Sequence, residues 1–126
     1  MRKDIVKATK EALLERASKR ESKAYSTYES EALGLAFTVK RLPVARIMAI
    51  MDMEEETAAG GLETSKQLVY ESIPALQDKE LQEAYGCVEP HDIVLGVFDD
   101  NLGEVGRMVD FINGQYGLTV DDIKNL

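Results

Sequence analysis

The 126-residue chain has one cysteine, one histidine, no tryptophan and three prolines. Each scarcity closes a route. Cys87 has no second cysteine to bond with, so no internal disulfide can staple the fold, and a reducing cytoplasm suits a thiol expected to be a small buried or half-buried side chain. His91, as the sole imidazole, excludes multi-histidine metal sites. No apolar run approaches the roughly 20 residues of a membrane span. The opening Met1-Arg2-Lys3-Asp4-Ile5 leads into a charged amphipathic stretch without the apolar core and cleavage site of a secretory signal. A soluble, cytoplasmic protein with no membrane partner is the expectation.

What is present suits one globular domain. Apolar residues make up 44% and charged residues 30%, and the length supports one hydrophobic core. The charge is distributed unevenly. Residues 1–23 hold eight basic side chains against four acidic ones, while the rest holds 7 basic and 19 acidic residues, net −12 within a total of −8. A body that acidic repels phosphate, so nucleic acid binding would rest on the basic arm alone and is not expected. Such an arm serves as a solvated helix face, or docks on an acidic surface of its own body or of a neighbouring copy.

Apolar spacing and punctuation divide the chain into a basic amphipathic helix (1–23), a linker (24–31) and an acidic helical body (32–126). Ile5, Ala8, Ala12, Leu13 and Ala17 predict a helix from Asp4 to about Lys19 with a thin, Ala-rich stripe that packs loosely or awaits a partner. Leu33, Leu35, Phe37 and Val39 alternate with smaller or polar residues, the strand signal of the chain. A lone strand needs a neighbour, which is part of Tyr25 to Ser30 in a hairpin or the strand of another subunit. Pro43 opens a helix to about Thr57, Gly60-Gly61 ends or kinks it, and a partner helix, antiparallel to the first, covers Leu62 to Ser72 until Pro74 stops it.

Three short helices follow. Asp78 caps Lys79 to Tyr85 with Gly86 at the C′ position, and Pro90 opens His91 to Phe98. Asn101 with Glu104 resembles a capping box for Leu102 to Tyr116, and Thr119 with Asp122 repeats the device for Val120 to Asn125. The expected fold is mainly α, a small helical domain with one short strand or hairpin near residues 25–42.

No constellation of residues supports catalysis. Cys87 and His91 stand four apart across a helix boundary with no third group to orient them. A calcium loop from Asp99 would need Gly sixth and Glu twelfth, where Glu104 and Asp110 stand. Asp121-Asp122 complements a helix macrodipole, and Glu54-Glu55-Glu56 reads as a solvated or partner-facing surface. Gly60-Gly61, Gly103 and Gly106 fit neither phosphate-loop pattern. The expectation is a non-enzyme with no cofactor and no metal.

The order of segments is more telling than any one of them. Phe37-Thr38-Val39-Lys40-Arg41-Leu42-Pro43, then Leu68-Val69-Tyr70-Glu71-Ser72-Ile73-Pro74, Asp78 to Gly86, Glu89-Pro90-His91-Asp92-Ile93-Val94 and the last long helix with Tyr116-Gly117-Leu118 follow one another over residues 32 to 118. In that order the chain resembles the tail assembly chaperones of long-tailed bacteriophages and of phage-like elements of Gram-positive bacteria. The resemblance implies a cytoplasmic, non-enzymatic protein that holds the long tape measure protein soluble while the tail tube assembles. It also implies the shorter of two products made by ribosomal frameshifting. The arm at 1–23 has no counterpart in the family pattern.

The leading reading is therefore a chaperone whose partner is the tape measure protein or another helical protein. Two helix faces are its candidate binding surfaces, Val44, Ile47, Met48 and Met51, and Leu102, Val105, Val109 and Ile112. The alternatives are a self-assembling homo-oligomer, the basic arm of one copy on the acidic body of the next, and an acidic inhibitor of a nucleic-acid-binding enzyme.

Overall fold

The computed structural model describes residues 5–53 and 57–118. Among them are six α-helices and one two-stranded antiparallel hairpin, the mainly α architecture expected. The helices are α1 (Lys10–Ser18), α2 (Val44–Asp52), α3 (Ala58–Ser72), α4 (Lys79–Ala84), α5 (Ile93–Val97) and α6 (Leu102–Gly114), and the strands are β1 (Tyr25–Ser30) and β2 (Leu35–Lys40).

The segment read as a linker is largely strand. Tyr25 pairs with Lys40 and Ser30 with Leu35, around a turn in which Gly34 takes φ +67°, a conformation open to a residue without Cβ. Successive strand side chains alternate in direction, so Ser26, Tyr28 and Ser30 share a face with Val39, Phe37 and Leu35. Phe37 and Val39 are buried on that face while Leu35 stays exposed.

The polar half of this face is held by α6. Tyr28 Oη donates to Glu104 Oε2 at 2.8 Å, Ser30 Oγ donates to the same oxygen, and Gln115 Nε2 donates to Ser26 Oγ. Glu104 meets the end of β1 and Gln115 its beginning, so β1 runs antiparallel to α6. Below them Leu42 N donates to Tyr116 Oη at 2.7 Å, and Tyr116 Oη donates to Leu42 O at 2.9 Å. Burial pushes the Tyr116 phenol up.

Several helix limits differ from expectation. Thr9 accepts from Ala12 N, so α1 starts at Lys10 rather than Asp4, and no residue of α1 is buried. Thr57, read as the end of α2, instead caps α3 by accepting from Gly60 N at 2.9 Å. Thr57 anchors the glycine pair in the first turn, since its side chain accepts from Gly60 N and its carbonyl accepts from Gly61 N at 3.0 Å. Pro90–Asp92 is a 3-10 turn before α5 rather than its first α turn. Only the Asn101 half of the capping box forms. Asn101 Oδ1 accepts from Glu104 N at 3.0 Å, but the Glu104 carboxylate turns to the hairpin. Glu54-Glu55-Glu56 and the expected turn Val120 to Asn125 lie outside the described residues.

The core forms where β2, α2, α3, α5 and α6 meet. Phe37 stacks on Phe98 with ring centroids 5.4 Å apart and 13° between planes. Ile47, Ile50, Val69, Ile73, Leu76, Ile93, Val94, Met108 and Ile112 close around them, each almost without exposure. Burying each such side chain contributes about 1.5–3 kcal/mol, so this cluster dominates the folding energy.

Candidate partner-binding cavity

The two helix faces proposed for binding converge across α3. Pro43 supplies the turn before α2 and lacks a side-chain cap. Ile47 and Ile50 bury α2 in the core, and Arg46 adds a tie to α3, its Nε donating to Glu71 Oε1 at 2.7 Å while its Nη2 bonds Glu71 Oε2. The guanidinium holds the Glu71 carboxyl below its ordinary value, and the carboxylate in turn raises Arg46.

Between α2, α3 and α6 lies a partly open cavity of about 110 Å³. Ile47, Ile50 and Met51 line it from α2, Thr64, Ser65 and Leu68 from α3, and Val109 and Asn113 from α6. Asn113 is 4% exposed, and its Oδ1 has no donor. A buried carbonyl without a donor costs about 1–3 kcal/mol, a cost a ligand group could remove.

The predicted site residues divide three ways. Ile47, Val105 and Ile112 are at most 2% exposed and belong to the core, so they do not present a free docking face. Ile47 reaches the cavity only as part of its floor. Met51 and Val109 are half-buried at the cavity wall. Val44, Met48 and Leu102 are exposed and stand outside it. Sequence reasoning missed Asn113, Thr64 and Ser65. The signal for Asn113 was its place four residues after Val109, where the α6 stripe would otherwise be apolar.

A second polar cluster joins α3 to the 3-10 turn before α5. Lys66 is 5% exposed, and its Nζ donates to Asp92 Oδ1 at 2.7 Å and to Glu63 Oε1 at 3.0 Å. His91 Nε2 lies 2.7 Å from Glu63 Oε2, and the histidine is mostly covered, with 18% of its side chain exposed. Burial opposes the charge on Lys66, yet the carboxylates of Asp92 and Glu63 outweigh it and raise its pKa. Hydrogen bonds from His91 and Lys66 lower Glu63, and those from Lys66 and the Glu89 N–H lower Asp92. Every group here has a partner within the cluster, which suits a structural tie. Among the described residues no three His, Cys, Asp or Glu side chains are placed to hold a metal ion.

No protein-family model matches the chain, and neither a curated protein nor a solved structure matches it significantly. No helix of the described residues is long and apolar enough to cross a membrane.

Proposed function

We propose that the chain is a non-catalytic, cytoplasmic tail assembly chaperone that holds a helical segment of the tape measure protein at the cavity between α2, α3 and α6. The observation that carries this reading is the buried Asn113 carbonyl, without a donor, in a cavity otherwise lined by apolar side chains with Thr64 and Ser65. A volume of about 110 Å³ is on the scale of the roughly 150 Å³ that admits a benzene ring in an engineered apolar cavity. It fits one large apolar side chain from a partner helix, with a polar hydrogen beside it for Asn113 Oδ1. Half-buried Met51 in the cavity wall can adapt to a partner that presents many similar stripes.

The test is co-expression with a tape measure protein. The wild type is expected to raise the soluble yield of that protein and to co-purify with it. Val109→Phe fills the cavity, and is expected to lower co-purification at least about tenfold, equivalent to about 1.4 kcal/mol, while its circular dichroism spectrum stays native. Lack of association between the two folded wild-type proteins would overturn the reading, and so would full association of a folded Val109→Phe chain.

A further inference from the structure

A larger groove, of about 1000 Å³, lies between α1 with its following turn and the body, away from the cavity just described. Arg16, Arg20 and Lys23 line one side, Lys40 and Arg41 the other, and no acidic side chain lines it. This is notable in a chain of net charge −8. Among the described residues, Arg16, Arg20, Lys23 and Lys40 have no ion-pair partner. The Arg41 guanidinium stands 5.1 Å from the centre of the Tyr116 ring. Apolar surface lies between the cations, where Leu13 is 53% and Val44 65% exposed. Five cations facing one another across a groove repel, and an anionic occupant relieves that repulsion.

A surface of the opposite character lies on the same chain. The edge formed by α4 and the loop after it exposes Glu80, Glu83 and Glu89, with Tyr85 at 49% and Val88 at 91% exposure. Glu80 and Glu83 have no ion-pair partner among the described residues. Val88 is the most exposed of the large apolar side chains described. No residue of this edge lines the groove, so a chain does not fill its own groove with it.

We propose that the groove beneath α1 receives the acidic 78–89 edge of a second copy, so that copies associate head to tail. Charge complementarity selects this occupant, and both surfaces bring apolar side chains that bury on contact. The contact joins two different surfaces, so a pair keeps one groove and one edge free for further copies. It also gives the basic arm a role that the chaperone reading leaves open, and it does not depend on that reading.

Charge exchange tests it. One variant carries Arg16→Glu and Arg20→Glu, the other Glu80→Lys and Glu83→Lys. All four positions are exposed, and circular dichroism checks that both variants fold. In sedimentation velocity the wild type is expected to associate at about 50 mM salt and to dissociate at about 500 mM, as screening shortens the reach of exposed charges. Each variant alone is expected to associate at least tenfold more weakly, because the groove variant loses most of its positive charge and the edge variant sets a basic edge against a basic groove. An equimolar mixture is expected to regain association as a mixed pair, because the intact groove of the edge variant then meets the intact edge of the groove variant. A wild type that is monomeric at low salt overturns the proposal. So does a mixture that stays monomeric, or an edge variant that associates as well as the wild type while the groove variant does not, which would assign the groove to some other anion.

Discussion

Ser30 Oγ donates to the Glu104 carboxylate, a bond between residues 74 positions apart and one of the ties that fix β1 along α6. Glu104 is 2% exposed. Its carboxylate accepts from Ser30, from Tyr28 and from Arg107 Nε at 2.7 Å, while its own N–H is satisfied by Asn101. One side chain thereby closes a helix start onto a strand that has little apolar surface with which to hold itself.

Acid should release that tie. The hydrogen bonds from Ser30 and Arg107 hold Glu104 below its ordinary value of 4.5, and Glu63, Glu71 and Asp92 are lowered too. Where the folded pKa lies below the unfolded one, the unfolded chain takes up protons first. The stabilisation is therefore complete above about pH 5 and is lost as pH falls through 4.5 toward the folded values. Chemical denaturation between pH 7 and pH 3 is expected to show this decline. Glu104→Gln is expected to cost about 1–3 kcal/mol at pH 7 and to flatten the decline, and an unchanged slope would remove Glu104 from its causes.

The Lys66 cluster should behave as a unit. Lys66→Ala removes a buried stem and two charge-assisted bonds, at an expected cost of about 2–3 kcal/mol at neutral pH. Lys66→Met keeps most of the stem and is expected to cost less. Asp92 and Glu63 are exposed enough to recover water, with side chains 35% and 57% exposed. Asp92→Ala combined with Lys66→Ala should then cost less than the two single changes together, and strict additivity in urea melts would show that the ion pair contributes nothing of its own.

Helix ends offer a gain in stability. After α4, Gly86 N donates to Glu83 O and Cys87 N to Gln82 O, with Gly86 at φ +65°. After α5 the same pair of bonds recurs, Asp99 N to Gly96 O and Asp100 N to Leu95 O, but two aspartates are left-handed there, Asp99 at φ 53° and Asp100 at φ 58°. Aspartate accepts that conformation at a cost glycine avoids. Asp99→Gly is expected to stabilise the fold by about 0.5–1 kcal/mol, and Gly86→Ala to destabilise it by a similar amount, both read from thermal melts.

These caps also mark where the sequence was legible. Asp78 with Gly86, and Asn101 with Val105, Val109 and Ile112, spelled out α4 and α6 because each signal is local. The motif at Asp99 was hidden by the absence of glycine, and Thr57 was mistaken for an end because a glycine pair follows it. Tyr25 to Ser30 read as a linker because its inward face is held by Glu104 and Gln115 through hydrogen bonds, and apolar periodicity carries no trace of these. The candidate site was half legible for a related reason. Periodicity names a face without saying what covers it, and the core took Ile47, Val105 and Ile112. The basic groove joins residues 16–23 to 40 and 41, a meeting that only the folded chain produces.

Asn113 should reveal whether its place is a defect or a function. Leucine has the same branched heavy-atom skeleton, is somewhat larger beside an open cavity and needs no hydrogen bond, so Asn113→Leu removes the orphaned carbonyl from the cavity wall. For folding alone this is expected to gain about 1 kcal/mol, seen as a higher melting temperature. If the carbonyl serves a partner, the same change costs affinity, because the partner's buried donor then has no acceptor. The expected result is a more stable chain that retains less tape measure protein, the exchange common where a binding site is kept at the expense of packing. A gain in stability with undiminished binding would make Asn113 a packing defect and move the partner contact elsewhere on the body.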